Sequence, residues 1–516
     1  MRLPVIRRLL LLGAAVLPLA STPVCAETLR DALAKAYASN PTLTGQRANL
    51  RATDENVPIA RANGLPAVSV NGGYVENVFA PDSTNTSSNN NSFVNPARQA
   101  TANTQLTVPI YTGGAVRNAV RGAETRVEAG RATLRGTESD LFTDVVGAYM
   151  DVIRDEAIVS LNQQNVHVLD VNLQASRDRF QVGDLTRTDV AQSEARLALA
   201  RAQLESAEAR LISSRENYIR VVGSAPTDLQ QPPALPHLPT SADTAVQTAI
   251  NQNPSLIAAQ RQRDATAFDV NVARASRSPR LNAVLGGNYY NYLGALGAGT
   301  GVRVGQSGTG GTVGLALSLP IFQGGRPAAQ VRQAQALRSQ AIENVTAAER
   351  AVVAQTRSAY AVYTSSQQVI ASSETAVRAN RLSLEGVRAE NSVGTRTILD
   401  ILNAEQELLN SQVTLVTARR DSYVAGFALL AAMGQAQAND LGLEGGPLYD
   451  PVANFDRVRH RISDRGSDPE PVPLATSTVS TPAQNAAVSR PLDPMLDTPV
   501  DRNPAMTTGA ATPGRN

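Results

Sequence analysis

Two kinds of hydrophobic periodicity alternate along this chain. Residues 106–110 and 313–321 place apolar side chains at every second position, which is typical of β-strands. Residues 115–180 and 326–390 place them three and four positions apart, which is typical of packed helices. A helix of that length reaches about 100 Å at a rise of ~1.5 Å per residue. The pattern therefore predicts short strands that lead into very long helices.

The same order of elements occurs twice. The stretch LTVPIYTGG at 106–114 recurs as LSLPIFQGG at 317–325, 211 positions later. Other residues recur at this spacing, namely Tyr149 and Tyr360, Gly183 and Gly394, Asp189 and Asp400, Glu194 and Glu405, and Gly223 and Gly434. So many matches at one spacing indicate an internal duplication rather than chance similarity in a chain rich in alanine and arginine.

The duplication sets the predicted domain bounds. Residues 1–26 form a signal peptide, 27–240 the first repeat, 241–451 the second repeat, and 452–516 a disordered tail rich in proline, serine and threonine. The first repeat is predicted to hold a helix at 29–61, strands at 66–79 and 101–111, and a helix pair within 115–222. The second is predicted to hold a helix at 245–275, strands at 280–293 and 312–322, and a helix pair within 326–433. The predicted fold class is α+β, built twice.

The amino terminus is typical of a secretory leader. Three arginines precede an apolar stretch at 9–20 that is too short to cross a membrane as a helix. Cleavage after Ala26 would leave a mature chain without cysteine and hence without disulfides, because Cys25 is the only one. The alternative keeps Cys25 as the acylated first residue of a lipoprotein. Either way we expect an exported protein, and no later segment has the ~18 consecutive apolar residues of a membrane-spanning helix.

Composition argues against several classes of function. The formal net charge is only +2, which disfavours a nucleic-acid surface held by bulk charge. The histidines, His167, His237 and His460, are scattered and give no spacing typical of a metal site. The chain has no G-x-S-x-G motif and no phosphate-binding loop. We therefore expect a non-enzymatic protein with no cofactor, no metal and no nucleic-acid partner.

Each strand-to-helix transition carries a proline and two glycines. Proline cannot donate to a strand ladder, and glycine permits backbone conformations that other residues avoid. We therefore predict that the strand stops at the proline and that the chain turns into the long helix at the glycines. The residues are Pro109, Gly113 and Gly114 in the first repeat and Pro320, Gly324 and Gly325 in the second.

Four strands per chain are too few for a closed barrel. Each predicted strand has roughly ten residues, the length that crosses a bilayer when tilted. An open edge in lipid would leave backbone groups unpaired, so several chains would have to pool their strands, and three would supply twelve. The alternative is a small soluble sheet capped by a coiled coil.

On these motifs the chain resembles the TolC family of outer-membrane channel proteins. The similarity covers roughly residues 27–450 and is most specific in the two Gly-Gly motifs and in the segments at 179–197 and 391–409. It implies a homotrimer with a shared twelve-stranded β-barrel in outer-membrane lipid, continuous with a long periplasmic α-helical coiled-coil barrel. It also implies an exit duct for type I protein secretion, drug efflux or both. Substrates would come from an inner-membrane pump of the ABC or RND type through a periplasmic adaptor (membrane fusion) protein.

The alternative function is a trimeric coiled-coil adhesin or structural surface fibre. An adhesin would usually place its membrane strands at the C-terminus, after the stalk. Here the predicted strands lie in the middle of the chain in both repeats, which favours the duct.

The segments VGDLTRTD and VGTRTILD predict the turns between the long helices. Gly183 and Gly394 would end one helix. A threonine followed three positions later by an aspartate fits a helix-start cap, as in Thr186 with Asp189 and Thr397 with Asp400. One interpretation is that these residues merely start helices.

The resemblance implies a second role for these turns. In the family, contacts between the helix pairs at this point close the periplasmic mouth of the tunnel. By alignment, Thr188 and Asp189 would face Arg396 of the other repeat, and Asn391 stands where the family has a tyrosine.

The resemblance also assigns Asp400 and residue 403 to the constriction of the tunnel. Residues three apart on a helix share a face, and the family has aspartates at both positions. Here the second residue is Asn403. We therefore predict a single ring of carboxylates, with weaker cation selectivity and weaker block by multivalent cations than two rings would give.

Overall fold

The computed structural model describes residues 26–78, 96, 98–294, 305–443 and 448–497. The predicted signal peptide lies outside the described residues except for Ala26, as does the end of the tail. The elements are α1 (Leu29–Ser39), α2 (Pro41–Asp54), α3 (Asn56–Ala62), β1 (Ala67–Glu76), β2 (Arg98–Tyr111), α4 (Ala115–Gln181), α5 (Arg187–Val222), α6 (Ala242–Gln252), α7 (Pro254–Ala275), β3 (Arg280–Asn291), β4 (Ser307–Ser318), α8 (Arg326–Ser392), α9 (Ile398–Met433) and α10 (Ala453–Val458).

Each repeat contains the same elements in the same order. Short helices lead into a pair of strands, and the second strand leads into a long helix. α4 and α8 each have 67 residues, and α5 and α9 each have 36 residues. The long helices form two hairpins, α4 with α5 and α8 with α9, which pack against each other through α4 and α9. Among the described residues, no helix combines the length and the apolar character needed to cross a lipid bilayer.

The single helices predicted at 29–61 and 245–275 are each broken at an Asn-Pro pair, so that prediction is wrong. Pro41 and Pro254 begin new helices at the first helical position, where the missing N–H costs nothing. Glu55 interrupts the first stretch once more, between α2 and α3.

The asparagine before each proline ties the start of a repeat to the end of its own long hairpin. The side-chain amide of Asn40 donates to the main-chain oxygen of Val221 at 2.9 Å. The amide of Asn253 donates to the main-chain oxygen of Ala432, also at 2.9 Å. Both asparagines also cap the helix that follows. An equivalent asparagine hydrogen bond therefore joins the first helices of each repeat to the end of its last helix.

The strands differ somewhat from their predicted bounds. The predicted strands 66–79, 101–111, 280–293 and 312–322 correspond to Ala67–Glu76, Arg98–Tyr111, Arg280–Asn291 and Ser307–Ser318. Pro109 does not end β2, which continues to Tyr111. Beyond Thr107 β2 has no partner in β1, and its pairing with β3 shifts register after Pro109, so the missing N–H is tolerated there. Pro320 lies beyond the end of β4.

The four strands form one antiparallel sheet in the order β1-β2-β3-β4. β2 pairs with β3, so the sheet runs without a break from one repeat to the other. Within the described residues, β1 and β4 each have one edge without a partner.

The two faces of this sheet differ in polarity. Directly opposite residues share a face. On one face, a row of directly opposite residues consists of Val68, Leu106, Leu285 and Val313. Three residues further along the strands, a row on the opposite face consists of Asn71, Asn103, Asn288 and Gly310. In one chain the apolar face has no cover, since Val68 is 68% and Val313 is 86% exposed. The sheet thus has one apolar and one polar surface.

Two equivalent tyrosines hold the linker between the repeats. Tyr149 is fully buried in the main core cluster, and its hydroxyl donates to the main-chain oxygens of Gln230 at 2.6 Å and Glu27 at 2.9 Å. Tyr360 donates to the main-chain oxygen of Thr240 at 3.0 Å. The linker is therefore fixed at both ends by the helical body.

The prediction of a disordered tail is wrong at α10, while the described residues after Val458 form no helix or strand. The segment forms α10, in which Val458 is fully buried, and later buries Leu496 against the long helices. The low apolar content indicates disorder, but Val458, Leu496 and hydrogen bonds from helix arginines hold two parts of the segment against the helices.

Candidate functional site at the hairpin turns

Both hairpins turn through a glycine with a left-handed backbone. Gly183 has φ +88° and Gly394 has φ +81°. In the first turn the N–H of Asp184 donates to the main-chain oxygen of Arg179 at 2.9 Å, and in the second Thr395 donates to Glu390 at 3.0 Å. This six-residue closure satisfies carbonyls at the end of a helix and favours glycine at its left-handed position.

The helix that follows each turn begins with a capping box. The N–H of Thr186 donates to the Asp189 carboxylate at 3.0 Å, and the N–H of Asp189 donates back to the Thr186 hydroxyl at 3.3 Å. Thr397 and Asp400 repeat the arrangement at 2.9 and 3.4 Å. Hydrogen bonds from the threonine main chain and hydroxyl hold the pKa of both aspartates below the usual range. Both aspartates are therefore ionised helix caps.

Within one chain, Arg396 contacts its own turn. Its Nε donates to Glu390 Oε2 at 2.8 Å, and its main-chain oxygen accepts from the Asn391 amide at 2.7 Å. Glu390 raises the pKa of the Arg396 guanidinium. Thr188 is exposed. The structure thus supplies an intrachain partner for Arg396, and the pairing of Arg396 with Thr188 and Asp189 stays a prediction for the assembled protein.

Asn403 has an arginine partner that the sequence did not reveal. Arg196 Nη2, on α5, donates to the Asn403 side-chain oxygen, on α9, at 2.7 Å. The contact joins the two hairpins one helical turn above Asp400. Because Asn403 belongs to the predicted constriction, the polarity there includes a nearby guanidinium as well as the Asp400 carboxylate.

A second contact between the hairpins is buried. The Glu405 side chain, on α9, accepts from Arg388 of α8 at 3.1 Å and from the Asn172 amide of α4 at 3.1 Å. Glu405 is only 6% exposed. Burial raises its pKa, while Arg388 and Asn172 oppose that rise. Arg388 and Asn172 therefore both stabilise the ionised form of the Glu405 carboxylate.

The equivalent pair of the first repeat is exposed. Arg177 and Glu194 approach to 3.8 Å, with side chains 49% and 64% exposed. The duplication makes Glu194 and Glu405 visible in the sequence, but no local pattern distinguishes the buried copy. Glu405 contacts Asn172 on a helix of the other hairpin, whereas the arginine beside Glu194 belongs to its own hairpin.

The strand-to-helix transitions show a related asymmetry. Gly113, Gly114, Gly324 and Gly325 all have positive φ, between +59° and +82°. A side chain at Gly113 would overlap Ser278, whereas one at Gly324 would meet no described atom within 4 Å. The backbone requires glycine at both transitions, and packing requires it also in the first.

The contacts at the turns are helix caps, ion pairs and hydrogen bonds between the hairpins. Among the described residues, no group of three or more His, Cys, Asp or Glu side chains is arranged to hold a metal ion. A sheet with one apolar face, joined to helices that reach about 100 Å, defines one subunit of a channel that crosses a membrane as strands and continues as helices.

The family model described as outer membrane efflux protein matches residues 32–224 and 245–435, one match in each repeat, and the chain belongs to this family. It is 33% identical over 435 residues to the outer membrane efflux protein BepC of Brucella suis biovar 1, covering 84% of this chain and 91% of that protein. It is 28% identical over 476 residues to the outer membrane protein TolC of Escherichia coli, covering 88% and 93%. The solved structure of the Campylobacter jejuni CmeC outer membrane channel aligns with a TM-score of 0.69 at 16% identity, covering 84% of this chain and 89% of that one.

These similarities confirm the predicted fold class, a subunit of a trimeric channel with a β-barrel and a long helical barrel. They also confirm the outer-membrane location and the function as an outer-membrane exit duct. The adhesin or surface-fibre alternative is not supported.

Proposed function

We propose that three copies of this protein work together as the last stage of a tripartite export system. One observation carries the proposal: the apolar-faced sheet continues into two equal hairpins, so one trimer supplies twelve strands and a tunnel about 100 Å long. Such a tunnel reaches far into the periplasm, where an adaptor (membrane fusion) protein would join it to an inner-membrane pump. Its role would be conduction without catalysis.

We propose a pump of the ABC or RND type as the inner-membrane partner. The family description and the name of BepC both specify efflux, which supports efflux as the first route. Type I protein secretion is the second route, proposed on the resemblance of the hairpin motifs to the TolC family.

The proposed gate lies at the hairpin turns. The pair between Arg396 and Glu390 is about half exposed on both sides, at 50% and 52%, so a competing carboxylate can replace it. In the trimer, Thr188 and Asp189 of a neighbouring subunit would accept from Arg396 and hold the mouth shut. Asn391 would support the turn through its bond to the main chain of Arg396.

Single-channel conductance in a planar bilayer tests this proposal. The wild type is expected to show a small conductance that rises in Arg396→Ser, because the link across the mouth is lost. Arg187→Ser is the matched control, since Arg187 is an exposed arginine at the other turn. If neither substitution changes the conductance, the gate does not lie at Arg396. If verified trimers of the wild type and the variants show no conductance, the proposed duct is contradicted.

A further inference from the structure

The C-terminal segment 484–497 lies in a groove between the two helical hairpins. It contacts both of them. Its helix partners are Gln164 of α4, Arg215 and Glu216 of α5, Arg381 of α8, and Gln412 and Arg419 of α9.

Leu496 anchors the segment. It is 3% exposed and belongs to the buried cluster that contains Leu161 of α4 and Val377 of α8. The Gln412 side chain donates to the main-chain oxygen of Leu496 at 2.7 Å. The anchor is therefore held both by apolar packing and by a hydrogen bond to its backbone.

Arginines from both hairpins recognise the backbone of the segment. The donors and main-chain acceptors are Arg215 to Asn485 (2.6 Å) and Ala487 (2.9 Å), and Arg381 to Met495 (2.6 Å) and Asp497 (3.1 Å). Arg419 adds an ion pair with Asp493 at 2.8 Å. Main-chain acceptors, one apolar anchor and one acidic side chain are the elements by which grooves bind extended peptides.

Between α10 and residue 484 the tail exposes its large apolar side chains. Upstream, Val472 is 72%, Leu474 is 65% and Val479 is 94% exposed. The tail therefore leaves these three side chains in solvent but buries Leu496 against the long helices, as it buries Val458 of α10. Non-specific hydrophobic contact of an unstructured tail would not bury Leu496 and leave Leu474 exposed.

We infer that α4, α5, α8 and α9 form a peptide-binding groove whose resident ligand is residues 484–497 of the same chain, and that the bound segment ties the two hairpins together. The second part rests on the proposed function, because opening of the tunnel mouth requires the hairpins to move relative to each other. A bound segment that contacts both hairpins opposes such movement, so its release favours the open channel.

Cysteine pairing in the full-length protein tests occupancy of the groove. Val413→Cys with Met495→Cys is expected to cross-link within one chain under mild oxidation or with a short bifunctional thiol reagent, because both side chains pack against the cluster that holds Leu496, while Leu496 and Gln412 are retained. Val413→Cys with Thr478→Cys is the control, because Thr478 lies at the far end of α5 beside Ile219. Absence of the first link, or a link between chains only, overturns the resident-ligand assignment.

Release of the anchor tests the restraint on opening. Leu496→Asp loses the burial of a leucine side chain, which shifts the bound-to-released ratio about 10- to 100-fold. More frequent or larger openings are expected in planar bilayers, and Leu474→Asp is the control at an exposed leucine of the same tail. Unchanged conductance in Leu496→Asp, with the cross-link present in the parent protein, overturns the restraint.

The two inferences fail in different ways. If neither the wild type nor Arg396→Ser conducts, the proposed duct is contradicted, and so is the inference that the segment restrains its opening. The cross-link still decides whether the groove holds residues 484–497.

Discussion

Glu194 and Glu405 occupy equivalent positions of the two repeats in different surroundings. Glu405 is buried between Arg388 and Asn172, whereas Glu194 is 64% exposed beside Arg177. Replacing Glu405 by alanine is expected to lower the free energy of unfolding by about 2 kcal/mol, because a partly buried guanidinium and a partly buried amide lose their acceptor. Glu194→Ala is expected to cost less than ~1 kcal/mol. Chemical denaturation of purified trimers, followed by circular dichroism, measures both, and equal losses would contradict the assigned burial.

At this scale the sequence predicts roles that depend on neighbours along the chain. The caps formed by Asp189 and Asp400 follow from a threonine three positions earlier, and the structure has both. The burial of Glu405 depends on Asn172, 233 positions away, and on how α4 meets α9. Such a long-range contact cannot be predicted from the local sequence pattern.

The strand-to-helix transitions offer a matched prediction at the scale of elements. Gly324→Ala is expected to destabilise the trimer by about 1–2 kcal/mol, because an alanine must adopt a positive φ. Gly113→Ala carries the same backbone cost and also an overlap with Ser278. We therefore expect the larger fall in melting temperature for Gly113→Ala. If Gly324→Ala is the more damaging substitution, contacts beyond the single chain determine the tolerance at these transitions.

Element types follow from periodicity better than element ends do. The long helices were predicted within a few residues because their pattern is sustained. The break at Asn40 is missed because apolar residues keep their helical spacing across it, as Ala36 and Leu43 do. Pro109 was expected to stop β2, but a proline is tolerated where the neighbouring strand has already ended.

The whole assembly gives a prediction about ion selectivity. Asn403→Asp would add a second carboxylate per subunit near Asp400, and Arg196 would neutralise it only in part. We expect stronger cation selectivity and stronger block by multivalent cations than in the wild type. Reversal potentials across a salt gradient measure the selectivity, with Asn403→Ser as the neutral control. A wild type that is already as selective as the variant would contradict the single-ring prediction.

The overall architecture could be predicted because a duplicated pattern constrains it strongly. Two copies of a strand, a glycine turn and a long helix are compatible with few other folds. Four strands per chain are too few for a closed barrel, which indicates an oligomer. The path of the tail could not be predicted, because its order comes from Leu496 and from arginines on helices far away in sequence.

The sheet has a kinetic consequence. Since the described edges of β1 and β4 have no partner in one chain, a lone subunit in lipid would expose unpaired backbone groups on both sides. Insertion and association therefore have to occur as one event. The amount of functional duct should then rise more steeply than in proportion to the amount of exported chain, so a modest fall in supply would remove a disproportionate share of export capacity.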